Sequence, residues 1–263
     1  MRQVKASNIP VIPEDCLLIP LFPLGALMPG EQMPLRIFEP RYKQMLDDCI
    51  LGDGMFGILP ENPDGGRIRG WLAPSSFGCI AEISNLHEIG SNLHLMAIGM
   101  TRFELLEILE PALEAQDFGD AFPSVDELIE GFIDETPDGK LYLRGVIKPI
   151  APPTGTIEGE RWNRLLVEWS QHIVSVASTL GGIELEQIDI LEQLSSTFGN
   201  PTPDALFSAA ASVVQDLDLQ MTVLSTSKLE DIADAIETSI RNAQARLRFI
   251  GQMIEDTSFF EEE

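Results

Sequence analysis

The sequence predicts an α+β protein: a β-rich domain with one early helix, its strands closing into a barrel or pseudo-barrel, followed by an all-helical subdomain. Three observations predict it. Short apolar runs broken by proline and glycine fill residues 17–109, the pattern of many short strands. Near residue 158 the apolar period changes from that of strands to that of helices. A hydrophobic fraction of 44% over 263 residues is ample for a buried core. The expected division is a β-rich domain over 1–157, in which 110–157 is a variable insertion, or a pair of strands built on short apolar pieces such as 141–150, leading through Pro152-Pro153 into a linker, and a helical subdomain over 158–263.

The first strand, 17–22, stops at Pro23 because proline has no N–H for a sheet ladder, and Pro20 inside it predicts an edge position. Pro29-Gly30 marks a turn. A second strand, 33–38, puts Met33, Leu35 and Ile37 on one face and Pro34, Arg36 and Phe38 on the other. Pro40 then suits the first position of a helix, and Gly52 a left-handed residue just past its end. Tyr42, Met45, Leu46 and Cys49 give that helix one apolar face. Further strands are expected over 55–59, 67–72, 77–89, 93–99 and 102–109, with Gly90-Ser91 as a two-residue hairpin loop.

The helical part opens with a stripe of Trp162, Leu165, Leu166, Trp169, Ile173, Val176 and Leu180 that stops at Gly181-Gly182. A second helix is expected over 183–198. A third starts at the Thr202-Pro203 cap and runs to about Asp216. A short segment over 219–224 precedes a long last helix, opened by a capping box at Ser227 and Glu230. Its stripe of Leu229, Ile232, Ile236, Ile240, Ala243, Leu247, Ile250 and Ile254 is expected to pack on the preceding helices, with a homodimer through this helix as the alternative. Phe259-Phe260-Glu261-Glu262-Glu263 reads as a frayed tail.

Pro20-Leu21-Phe22-Pro23-Leu24, Pro29-Gly30, and Pro34-Leu35-Arg36-Ile37-Phe38-Glu39-Pro40-Arg41-Tyr42 closely resemble the opening of the Lon N-terminal domain family. That family includes the substrate-binding domain of Lon proteases. Gly52-Asp53, Phe56-Gly57-Ile58, residues 78–83 and Gly99-x-x-Arg102-Phe103 continue the resemblance. It implies a PUA-like β fold and a stand-alone, non-catalytic module that recognises unfolded or tagged polypeptides or serves as an adaptor in proteolysis. A small-molecule pocket, as in the cereblon branch of Lon-domain proteins, and RNA binding by a PUA-like fold are the alternatives.

No catalytic engine is visible. The one Gly-Lys pair, Gly139-Lys140, lacks the upstream glycine and the downstream Ser/Thr of a phosphate-binding loop. There is no G-x-S-x-G, no H-E-x-x-H and no segment resembling the Ser-Lys peptidase domain. No cofactor is expected. Three widely spaced cysteines, Cys16, Cys49 and Cys79, suggest neither disulfides nor zinc and read as small buried residues. A metal site is not expected either: His87 and His94 should face each other across the hairpin, but no third ligand is placed beside them, so they read as a surface pair.

The net charge is −25, with 8 Lys/Arg against 14 Asp/Glu in residues 1–110 and 9 against 28 in the rest. Such a chain repels phosphate backbones and anionic lipid, so neither nucleic acid nor membrane is an expected partner. No apolar run is long enough to span a bilayer, and the N-terminus lacks the apolar core of a signal peptide, so a cytoplasmic protein is expected.

A polypeptide sampler needs adaptable apolar surface. Met28, Met33 and Phe77 are the candidates for a groove lip, though large apolar residues of this kind are more often core. Arg36, Glu39, Arg41 and Arg102 are the polar members of the family motifs. Their expected role is structural, Arg36 or Arg102 pairing with Glu39 across strands.

Overall fold

The computed structural model describes residues 2–4, 10–118 and 139–258. The chain separates into two compact units, Met1–Ala151 and Pro152–Glu263.

The first unit contains strands β1 (Arg2–Val4), β2 (Leu17–Pro23), β3 (Gln32–Ile37), helix α1 (Pro40–Leu51), and strands β4 (Met55–Leu59), β5 (Arg67–Ile68), β6 (Trp71–Leu72), β7 (Phe77–Ile89), β8 (Asn92–Leu109) and β9 (Arg144–Pro149). The barrel closes through β8. β2 pairs with β4, β4 with β7, β7 with β8, β8 with β9, and β9 returns to β2. Closure removes the exposed edges of an open sheet. β3 and β1 are added outside this ring, both on β8.

Pro20 does not make β2 an edge. β9 pairs with Leu17, Leu18, Ile19 and Pro20, while β4 takes over at Leu21, Phe22 and Pro23. The proline thus falls where one neighbour hands over to the other. The segment expected over 67–72 is a miniature hairpin, because Arg69 (φ 47°) and Gly70 (φ 86°) both take positive φ, as a tight two-residue turn demands. No turn occurs at Met100-Thr101, and β8 runs unbroken for 18 residues. That length lets one strand serve β3, β7 and β9. β9 lies in the stretch read as an insertion or a pair of strands, on its apolar piece 141–150; the part of that stretch over 119–138, like residues 259–263, falls outside the described residues.

Among the described residues two large apolar clusters fill the unit, beside a small one of Cys16, Leu109 and Val146. Ile19, Leu21, Ile80, Phe103, Leu105 and Ile147 meet inside the barrel. The interior is so narrow that a Cβ on Gly78 would lie 2.5 Å from the Ile58 carbonyl oxygen and 2.7 Å from the Phe103 ring. The second cluster lies under α1, whose Tyr42, Met45, Leu46 and Cys49 pack on Phe22, Leu35, Ile37 and Leu95. Phe22 and Tyr42 meet edge to face at 4.2 Å. The polar side of α1 is tied down as well: Asp48 accepts from Lys140 Nζ at 3.0 Å and from the Tyr142 hydroxyl at 2.7 Å. Gly52 ends α1 without the expected positive φ. Gly54 supplies it instead (φ 75°), and its N–H returns to the Cys49 carbonyl at 2.9 Å.

The second unit is all helical: α2 (Gly159–Gly181), α3 (Gln187–Phe198), α4 (Pro203–Val213), α5 (Leu217–Ser225) and α6 (Leu229–Ser258). α3 begins four residues later than expected, because Gly182 takes the left-handed conformation and leaves 183–186 extended toward the next cap. α4 is capped as expected, Thr202 Oγ1 accepting from the Ala205 N–H. It stops at Val213 because Asp216 caps a separate helix, accepting from the N–H groups of Asp218 and Leu219. At the head of α6, Thr226 takes the part expected of Ser227 and Glu230: its hydroxyl accepts from the Lys228 N–H and donates to Asp231. The α6 stripe packs on α2, α4 and α5 of the same chain, burying Leu229, Ile232, Ile236 and Ile240. Arg161 on α2 bonds Glu237 of α6 at 2.8 Å and also pairs with Asp234. Among the described residues no helix is long and apolar enough to cross a membrane.

Candidate polypeptide-binding face

The three expected lip residues do not converge. Met28 is only 1% exposed. Its N–H donates to Glu31 Oε2 at 2.8 Å, and the turn folds onto β8 through Gly30 N–H to the Gly99 carbonyl (2.8 Å) and Gly99 N–H to the Glu31 carbonyl (2.9 Å). Met28 is therefore core. Met33 is half-buried against the cluster under α1. Phe77, also half-buried, lies opposite Glu104, whereas Met33 lies opposite Ala97. Those partners are seven positions apart on β8, about 23 Å at the usual strand rise.

The motif residues are arranged differently from the expected cross-strand pairing. Glu39 pairs with Arg41 at 2.8 Å. Arg41 is also stacked, its guanidinium carbon 3.5 Å from the centre of the Trp71 ring and 4.2 Å from that of Tyr42. Arg102 is 2% exposed and donates from Nη2 to the Ala151 carbonyl at 3.0 Å, while its own carbonyl accepts from Ile150 N–H. Burial pulls its pKa below the ordinary arginine value. Arg102 thus fastens the end of β9. Arg36 alone of the four is exposed.

Arg36 stands in a cross-strand row, opposite His94 on β8, which is opposite His87 on β7. The Gly90-Ser91 loop sets this register. Only Gly90 takes positive φ (63°), the requirement of a two-residue turn with glycine first. The imidazoles stack with centroids 5.6 Å apart. Among the described residues no group of three or more His, Cys, Asp or Glu is placed to hold a metal ion.

Strand alternation fixes what shares this face. Leu93, Leu95 and Ala97 turn inward with Leu35 and Ile37. Pro34, Arg36 and Phe38, then His94, Met96, Ile98 and Met100, then His87 and Ile89 turn outward. The outer face of an antiparallel sheet is ordinarily polar. Here Met96 and Ile98 are only half covered, and Phe38, Ile89 and Met100 are each close to half exposed or more. A bulge at Asn85, whose φ is 51°, separates the pairs Ser84–Met96 and His87–His94. It twists the hairpin and re-aims its tip, as bulges do. Met96 and Ile98 were not among the expected site residues. The signal for them is in the sequence nonetheless: 93–100 reads LHLMAIGM, apolar on both faces where one face should alternate to polar.

The outer edge of β3 carries no strand among the described residues, but Pro34 removes an N–H from it. The side chains of the face, more than the backbone ladder, are what this surface offers. The face presents methionine and β-branched side chains beside Arg36 and the two histidines.

A family model of the ATP-dependent protease La (LON) substrate-binding domain matches residues 18–248. The chain is 29% identical over 108 residues to protein cereblon of Danio rerio, a match covering 40% of this chain and 22% of that protein. The N-terminal domain of the Mycobacterium avium complex Lon protease superposes with a TM-score of 0.50 at 14% identity, covering 86% of this chain and 98% of that one. A Lon N-terminal domain protein from Xanthomonas campestris gives 0.49 at 16% identity, covering 83% and 95%. With the family model spanning most of its length, this α+β chain belongs to the Lon substrate-binding domain family.

Proposed function

We propose that this chain is a non-catalytic module that holds apolar segments of unfolded or tagged polypeptides on the outer face of β3, β8 and the β7 hairpin, as a substrate receptor or adaptor in proteolysis. The observation that carries the reading is the accessible apolar strip of Met96, Ile98, Phe38 and Ile89 where a solvent face should be polar. Adaptable side chains suit a receptor that must accept many sequences. Phe77, half-buried on β7 beyond this strip, stands as a secondary contact, whereas Met33 faces the cluster under α1. The net charge of −25 argues against a phosphate backbone as the partner, and three free, buried cysteines fit a reducing cytoplasm.

The test is binding of the full chain to an unfolded model polypeptide, beside the same polypeptide folded, at two salt concentrations without nucleotide. Selective, weakly salt-dependent binding of the unfolded form is expected. Changing Met96 and Ile98 together to Glu should weaken it about thirtyfold or more, the loss expected when two apolar contacts of about 1–2 kcal/mol each disappear, while leaving the melting temperature nearly unchanged. Equal binding of folded and unfolded forms, or an unaffected double variant, would remove this face from the reading.

A further inference from the structure

The apolar stripe of α2 loses its cover toward its C-terminal end. Trp162, Leu165, Leu166 and Trp169 are buried, Ile173 and Val176 are half-buried, and Leu180 is 59% exposed. The uncovered part forms one wall of a cleft of about 470 Å³ between α2, the end of α4 and α6. Its walls are mainly apolar, with Trp169, Ile173 and Val176 facing Ile240 and Ala243. The Ser239 hydroxyl is committed, donating to the Val213 carbonyl at 2.6 Å.

Two polar groups at the cleft are not committed. His172 lines it, and its Nδ1 is buried with no hydrogen-bond partner. Buried polar atoms are nearly always paired, so an orphan of this kind marks a place where a partner fits. Desolvation lowers the pKa of this imidazole and so favours its neutral form, in which one ring nitrogen donates and the other accepts. Arg246 lies exposed at the rim and forms no ion pair among the described residues. Its guanidinium is the one cationic group, apart from the imidazole, among the residues that line the cleft.

We propose that this cleft binds a small amphipathic carboxylate, of the class of free medium-chain fatty acids. The apolar chain lies between Trp169, Ile173 and Val176 on one side and Ile240 and Ala243 on the other, and the carboxylate accepts from Arg246 and, once the His172 ring turns its buried Nδ1 toward the cleft, from that nitrogen. The volume lies in the range of small-molecule sites. Helical walls keep their backbone groups in internal hydrogen bonds, so the cleft offers no ladder for an extended peptide. Charge decides the headgroup, because one cation and one neutral donor match one anion with two acceptor oxygens. The proposal is independent of the sheet face described above.

The experiment is calorimetric titration of the full chain with decanoate, beside decanol and beside a short peptide ending in an apolar residue with a free carboxylate. Saturable one-to-one binding of decanoate is expected, tighter than that of decanol. Arg246→Gln should weaken decanoate about fivefold, the ordinary worth of an exposed ion pair, and leave decanol unchanged. Ala243→Phe fills the cleft and should abolish binding of both; should that variant fail to fold, Val176→Phe fills it from the opposite wall. Absence of saturable decanoate binding, equal affinity for decanoate and decanol, retention of binding by a folded filling variant, or binding of the peptide alone would each overturn the proposal.

Discussion

A Cβ placed on Gly99 would lie 2.1 Å from the carbonyl oxygen of Met28. The two residues are far apart in sequence, yet Gly99 is where β8 allows the Pro29-Gly30 turn to lie against it. The neighbouring bonds, from Gly30 N–H to the Gly99 carbonyl and from Gly99 N–H to the Glu31 carbonyl, depend on that approach. Gly99→Ala should cost about 2–4 kcal/mol, the range of severe overpacking against an atom that cannot swing away. Chemical denaturation of variant and parent checks it, and a loss below about 1 kcal/mol would show that the turn can lift off β8 cheaply.

Glu31 closes the same turn, its carboxylate accepting from the Met28 N–H. Burial raises its pKa more than that hydrogen bond lowers it. The sign follows: a carboxyl whose folded pKa exceeds its unfolded value stabilises the fold most when protonated, and that contribution fades as pH rises through the folded pKa. Glu31→Gln keeps an acceptor for the N–H and removes the charge. The variant should melt higher than the parent at pH 7 and nearly level with it at pH 4. Melting curves across that range check it; a difference that shrinks as pH rises would reverse the assignment.

Local chemistry was legible where the deciding residues are close in sequence. Pro40 and the Tyr42, Met45, Leu46, Cys49 face located α1, the Gly90-Ser91 loop set the His87–His94 register, and Thr202-Pro203 located the α4 cap. What escaped depends on distant partners. Of the two readings open for the stretch that holds β9, an insertion or a pair of strands, its own sequence does not choose; Leu17, Leu18, Ile19 and Pro20 on one side and β8 on the other make it a strand. From the sequence alone Met28 is open to a core or a lip reading, and what decides for the core is the distant Gly99, against which its turn lies. Arg41, not Arg36 or Arg102, took Glu39, since Trp71 and Tyr42 hold its guanidinium in place. The expected recognition residues failed in one respect, that sharing a turn or strand end does not place Met28, Met33 and Phe77 on one surface. The outer-face Met96 and Ile98 were readable only as a breach of alternation, and a breach can equally signal a strand buried on both faces.

The cysteines should be chemically silent in the folded protein. Cys49 and Cys79 are buried, and desolvation pushes each thiol up to about 12. At pH 8 the thiolate fraction is then on the order of one in ten thousand, against roughly a quarter for an unperturbed thiol. Reaction of native protein with a disulfide reagent at pH 8 should therefore be at least about a hundredfold slower at these two positions than after unfolding in guanidinium. Rapid native labelling of either one, located by mass spectrometry, would mean that α1 or β7 opens far more often than this packing allows.

Arg41 makes the last prediction, because its three contacts separate charge from shape. The guanidinium lies 3.5 Å over Trp71, 4.2 Å over Tyr42 and 2.8 Å from Glu39. A lysine keeps the charge for Glu39 but is a compact ammonium that cannot stack as a plane between two rings. If stacking dominates, Arg41→Lys should lose most of what Arg41→Ala loses, about 1–2 kcal/mol in each case. If the ion pair dominates, lysine should restore most of the loss. We expect the first outcome, since a partly exposed ion pair is worth little and two aromatic faces in van der Waals contact are worth more. Denaturation midpoints of the two variants decide it, and Trp71 emission, shifted to longer wavelength as its covered face meets water, should move alike in both.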